Sequence, residues 1–122
     1  ILNDFHGNYV SSCAKQKIFM RAGETDKAKV IYQKKLENIC VKISKCSKHI
    51  GNLDCDAIID KNNEVYVLDL NPRFGGGYAF THLAGLNYLK FIIYSFVKKE
   101  YILPKKPNII KAAKTIGVKI CK

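Results

Sequence analysis

Apolar and polar positions along this 122-residue chain change period several times, and each change marks an element. Ile1-Leu2 and Tyr9-Val10 flank the polar run Asp4-Phe-His-Gly-Asn8, which predicts a hairpin over residues 1–14. Lys17-Ile-Phe-Met-Arg21 reads as a short strand. Ala22-Gly-Glu-Thr25 is a break, with Thr25 placed to cap the next element. From Asp26 to Lys48, Ala28, Ile31, Tyr32, Leu36, Ile39, Cys40, Ile43 and Cys46 recur at three- and four-residue steps. That spacing predicts one amphipathic helix with lysines on its outer face, ended by Ile50-Gly51.

Two strand-like runs come next, Ala57-Ile-Ile59 and Val65-Tyr-Val-Leu68, on either side of Lys61-Asn-Asn-Glu64. Asn62-Asn63 suits a two-residue turn because Asn tolerates the positive φ of tight hairpins. Pro72 has no amide donor for a central strand, so the chain should leave the sheet after Asn71 into Arg73-Phe-Gly-Gly-Gly-Tyr78. A second helical region is predicted over residues 79–99, with Leu83, Leu86, Leu89, Ile92, Ile93 and Phe96 inside and Gly85 as a break or bend. Pro104 and Pro107 mark an irregular stretch, and Thr115-Ile-Gly-Val-Lys-Ile120 can form a last edge strand. The order βββ-α-ββ-α-β describes an α+β fold, one antiparallel sheet with two main helices packed on it. It fits a single domain over residues 1–122, with 100–122 as a C-terminal extension.

The hairpin carries the candidate chemistry. Centred on Asn62-Asn63, it sets Asp56 opposite Asp69 and Asp54 opposite Asn71, with all four groups on one face. Opposed like charges ~4.5–5.5 Å apart destabilise a sheet, and a divalent cation turns that repulsion into coordination. Asp56, Asp69 and Asn71 offer two carboxylates and an amide oxygen. This donor set suits Mg²⁺, or Mn²⁺, with water and phosphate completing the shell; Ca²⁺ would want more oxygens and zinc His or Cys. Asp69 lies between the other two and can bridge two ions. Arg73, just past the strand end, can grip a phosphate oxygen with two parallel hydrogen bonds. Gly75 and Gly76 let backbone approach a substrate. Blander readings stand beside these: Asp54 as a solvated outer-face residue, Asn71-Pro72-Arg73 as an ordinary turn, Arg21 as half of a surface ion pair, and His82 as a capping or packing residue.

Composition narrows the classes. The net charge is +11, yet the lysines are spread through the chain and aromatics do not alternate with them as a base-stacking platform needs. Nucleic acid is therefore not the expected ligand. No apolar run of 18 residues is present, so no membrane span is expected. Five cysteines form no CxxC pair and read as buried reduced thiols, which points to the cytoplasm. The start, Ile1-Leu-Asn-Asp-Phe5, shows neither an initiator Met nor a signal pattern, and reads as part of a longer protein.

Asp56, followed thirteen positions later by Asp69-Leu-Asn-Pro-Arg-Phe-Gly-Gly-Gly-Tyr78, resembles the terminal metal and phosphate motif of the ATP-grasp superfamily. Met20-Arg-Ala-Gly-Glu-Thr25, His49-Ile-Gly-Asn-Leu-Asp-Cys-Asp56 and Phe80-Thr-His-Leu-Ala-Gly85 are similar to ligases related to the carbamoyl-phosphate synthase large chain, with biotin carboxylase more distant. The resemblance covers about residues 1–97 and matches only the C-terminal lobe of the ATP-grasp fold. It implies that Asp56 and Asp69 bind one Mg²⁺, that Asp69 and Asn71 bind a second, and that Arg73 contacts the transferred phosphoryl group. Arg21 would face the acceptor substrate. The implied partners are ATP, a carboxylate or bicarbonate activated as an acyl phosphate, an amine that attacks it, and the N-terminal lobe this chain lacks. The 122-residue chain is expected to be inactive alone. Two positions depart from the pattern: Asp69 stands where Glu is usual, and Tyr78-Ala79 where Tyr-Pro is common. The alternatives are an ATP-grasp-like module that binds without catalysis and, less favoured, a basic nucleic-acid-binding domain.

Overall fold

A computed structural model describes residues 1–115 as a mixed α+β chain with antiparallel sheets and three helices. Its strands are β1 (Leu2–Asn3), β2 (Tyr9–Ser11), β3 (Ala14–Arg21), β4 (Glu24–Ile31), β5 (Gly51–Asn52), β6 (Asp54–Ile59), β7 (Val65–Asn71) and β8 (Lys111–Ala113). Its helices are α1 (Lys34–Ser47), α2 (Tyr78–Leu83) and α3 (Tyr88–Phe96). The strands form three sheets, ordered β2-β1-β5, β3-β4-β8 and β6-β7, in place of the single sheet expected.

The N-terminal hairpin forms as its polarity dictates. Asp4 Oδ1 accepts from the amides of His6 and Asn8, both at 2.8 Å, and closes the turn between β1 and β2. Residues 26–31 are a correction. They belong to β4, and Thr25 is a buried strand residue, not a helix cap. The alternation Asp26-Lys27-Ala28-Lys29-Val30 turns Asp26, Ala28 and Val30 inward and both lysines outward, the period of a half-buried strand. Helix α1 starts only at Lys34. It ends where Lys48 takes the left-handed conformation, φ 45°, and donates its amide to the Ser44 carbonyl at 2.8 Å.

Gly85, with φ +90°, divides the second helical region into α2 and α3, and Asn87 caps α3 by accepting from the Lys90 amide at 2.9 Å. Strand β8 closes the far edge of β4. The edge strand expected over 115–120 finds Thr115 outside any strand, and 116–120 lie outside the described residues. Two apolar clusters fill the interior. One gathers Ala28, Val30, Phe80 and Ala84; the other Leu2, Leu86 and Tyr88, and Cys13 packs against both. No helix among the described residues is long and apolar enough to cross a membrane.

Candidate functional site

The β6–β7 hairpin closes with a loop one residue longer than the two-residue Asn62-Asn63 turn expected. Asp60 donates its amide to the Glu64 carbonyl, the Asn63 amide bonds back to the Asp60 carbonyl at 3.0 Å, and Asn63 sits at φ 64°. This is a three-residue loop ending in a left-handed residue. Near the turn the pairing is therefore displaced by one, with Ile59 opposite Val65 and Ala57 opposite Val67. The register shifts between Asp56 and Ala57, leaving Leu68 as the extra residue. Beyond it, Asp56 pairs with Asp69 and Asp54 with Asn71, the register expected at the chemically important end. Directly opposed positions share a face.

Each group on that face is engaged. Asp56 takes the Lys17 ammonium at 2.9 Å on both carboxylate oxygens. Asp69 Oδ1 accepts from the Leu70 amide at 2.9 Å, and its Oδ2 from Asn71 Nδ2 at 2.6 Å. Among the described residues no group of three or more His, Cys, Asp or Glu gathers closely enough to hold a metal by itself. Two opposed carboxylates and a neighbouring amide remain. Such all-oxygen donors fit a hard cation that keeps several waters and takes phosphate oxygens, and do not fit zinc.

The chain leaves β7 at Pro72 and turns at once, the Arg73 amide donating to the Asn71 carbonyl at 2.8 Å. Asn52 Nδ2 holds the Arg73 carbonyl at 2.7 Å, which ties the exit loop to β5. Among the described residues, the exposed Arg73 guanidinium donates to the Phe74 carbonyl alone, at 3.3 Å. Gly75 lies against the Asp54 carboxylate, so close that a Cβ there would meet Oδ2 at 1.7 Å. Asp54 is thus a packing partner of the glycine loop and not simply a solvated outer-face residue. Gly76 lies beside Glu24, and Gly77 beside the Lys15 stem.

Arg21 sits away from the carboxylate pair in the contacts it makes, donating to Oδ2 of the buried Asp26 at 3.1 Å. The ion-pair reading of Arg21 thus has a partner, while half of its side chain stays exposed. His82 stacks edge-on to Tyr78 with ring centres 6.2 Å apart, a packing contact.

Three lysines near this loop escaped the reading of the sequence. Lys17 holds Asp56, Lys15 donates to Thr81 Oγ1 at 3.0 Å, and Lys114 pairs with Glu24 at 2.8 Å. The signal was present in Lys15-Gln16-Lys17, where strand alternation sends both lysines to one face. Between the acids, Cys55 is half-buried, and burial followed by neighbouring negative charge pushes its thiol up to about 11. A cavity of about 360 Å³ lies elsewhere, lined by Tyr9, Tyr32, Leu36, Phe91 and Leu103, and none of the hairpin-end residues reaches it.

Compared with known proteins, the chain matches no family model and no curated protein sequence.

Proposed function

We propose that this chain is the C-terminal lobe of an ATP-grasp ligase, similar to the carbamoyl-phosphate synthase large chain. The reaction is ATP-dependent conversion of a carboxylate or bicarbonate to an acyl phosphate, then attack by an amine. The observation that carries the reading is the pairing of Asp56 with Asp69 and Asp54 with Asn71 at the end of β6–β7. That end runs straight into Arg73 and the glycine loop packed on Asp54.

In this reading Asp56, Asp69 and Asn71 would hold Mg²⁺ or Mn²⁺. The ion supplies charge neutralisation for the phosphate oxygens, a role suited to oxygen donors that leave coordination positions open. Arg73 is assigned to hold the transferred phosphoryl group, whose charge spreads over its equatorial oxygens. A carboxylate oxygen of the substrate attacks the γ-phosphorus and ADP departs. The amine nitrogen then bonds to the acyl carbon and loses a proton, which the departing phosphate or solvent takes up, and phosphate leaves with the C–O electrons. No side chain forms a covalent bond, so the protein contributes positioning and electrostatics. Arg21, fixed along one edge by Asp26, is assigned to the acceptor substrate. Gly76 lets backbone approach that substrate, whereas Gly75 serves the loop's packing on Asp54.

The nucleotide's remaining contacts come from an N-terminal lobe, so the 122-residue chain alone is expected to turn over no ATP. A reducing cytoplasm fits the free thiols of Cys13, Cys40, Cys46 and Cys55. The test is ATP turnover, measured as ADP release, in a protein carrying both lobes, with Asp69→Asn as the variant. At least a roughly hundredfold loss is expected, the scale on which a well-placed electrostatic group acts. Turnover unchanged in Asp69→Asn would leave the non-catalytic binding module as the better reading.

A further inference from the structure

Strand β3 presents Lys15 and Lys17 on one face, and Lys17 carries its ammonium onto Asp56. Its Nζ lies 2.9 Å from each of the two carboxylate oxygens. The register of β3 breaks just there: Lys17 pairs with Ala28 and Phe19 with Lys27, leaving Ile18 as an extra residue. An irregularity of this kind re-aims the neighbouring side chain. The matching irregularity in β7 leaves Leu68 extra beside Asp69. The two breaks therefore flank the opposed acids from two separate sheets.

The acids are satisfied in different ways. Asp69 accepts from two neutral donors of its own strand, whereas Asp56 is satisfied by a full positive charge from another sheet. A divalent ion shared by both carboxylates needs the same Asp56 oxygens that Lys17 occupies. Two cations cannot hold those oxygens together without strong like-charge repulsion at such range.

We propose that Lys17 is a tethered cation that neutralises Asp56 opposite Asp69 until a divalent ion exchanges for it, so that Lys17 sets the affinity of the site for metal. This rests on the metal-site reading above. The exchange has a defined cost. Both members of the pair are about half-exposed, and an exposed pair of this kind changes an equilibrium constant by up to about fivefold. Removing the lysine charge therefore tightens metal binding, the opposite of what loss of a supporting contact would do.

The experiment is titration of the 122-residue chain with Mn²⁺ alone, reading free Mn²⁺ by electron paramagnetic resonance. Lys17→Met is expected to bind about two- to fivefold tighter than the parent, with an advantage that shrinks as salt rises. Lys17→Arg keeps a cation on Asp56 and is expected to show no tightening. Asp56→Asn is expected to bind at least about tenfold more weakly. If Asp56→Asn weakens binding while Lys17→Met leaves it unchanged or weaker, the exchange is wrong and the metal site stands. If Asp56→Asn binds like the parent, or no chain binds Mn²⁺, the metal-site reading falls and the exchange falls with it. Melting curves of all four chains separate these outcomes from a general loss of fold.

Discussion

A Cβ built on Gly75 would lie 1.7 Å from Asp54 Oδ2 and 2.3 Å from its Cγ. Gly75 is not among the residues with positive φ, so alanine there carries no backbone strain and its whole cost is collision. The carboxylate is attached through only two rotatable bonds, and relief requires Asp54 to swing away or the loop to rise from β6. Forcing a methyl group into an occupied contact costs about 1–3 kcal/mol. For a chain of this size that is roughly 4–15 °C in melting temperature. Asp54→Ala removes the obstruction and is expected to cost little itself. The double variant Asp54→Ala/Gly75→Ala should then be more stable than the sum of the single changes by about 1–2 kcal/mol. Urea unfolding of the four chains measures this coupling. Additivity within about 0.3 kcal/mol would refute the contact, because groups that do not touch have nothing to relieve.

Other consequences arise from individual contacts. Ser44 Oγ donates to Oδ1 of the buried Asn3 at 2.7 Å, and Ser44→Ala should cost about 1–3 kcal/mol in urea unfolding by leaving that oxygen without its donor. Asn63 occupies φ 64°, so Asn63→Val should destabilise by about 1–2 kcal/mol while Asn63→Gly stays near neutral. Desolvation pushes the Asp4 carboxyl up, but hydrogen bonds from Asn8 and His6 outweigh it and hold the group below its ordinary range. Its stabilising contribution is therefore complete above the unfolded value and lost as pH falls through the folded one. Asp4→Asn should flatten the acid limb of stability below about pH 4, measured by thermal melts across pH. The exposed Cys46 should be alkylated well before Cys55, whose thiol is held near 11, when peptides are followed by mass spectrometry at about pH 8.

The fold was legible where turn chemistry fixed an element's ends. It was less so over 79–99, where Leu83, Leu89, Ile93 and Phe96, expected inside, are exposed and Leu86 is buried. The Asp4–Asn8 turn, the β6–β7 hairpin and the break at Gly85 all lie where polarity and turn chemistry agree. Residues 26–31 were misread because Ala28, Ile31 and Tyr32 satisfy a helical step, while the strand alternation is carried by Asp26, Ala28 and Val30. Lys27 and Lys29, facing outward between buried neighbours, are what decide for the strand. The site register came out right at Asp56 and Asp69 for an incomplete reason. The loop is one residue longer than a two-residue turn, and the extra Leu68 restores the pairing. Local sequence does not show such compensation, because a bulge is fixed by pairing across the whole ladder. Nor did the sequence show that the strands divide into three sheets, since which strands adjoin depends on contacts distant in the chain. Lys17 was overlooked because its charge blends into a general lysine excess, and only its place on β3 sets it apart.

Whether a divalent ion binds this chain, and at which residues, decides most between an ATP-grasp lobe and any other reading. Amide spectra of the ¹⁵N-labelled chain, recorded as Mn²⁺ is added in substoichiometric amounts, report that position through paramagnetic broadening. Selective loss of signals from residues 54–57 and 69–73, abolished by Asp69→Asn, is the expected result. Broadening centred elsewhere, such as on Asp60 and Glu64 at the hairpin turn, or a pattern indifferent to Asp69→Asn, would contradict the metal site and the function built on it.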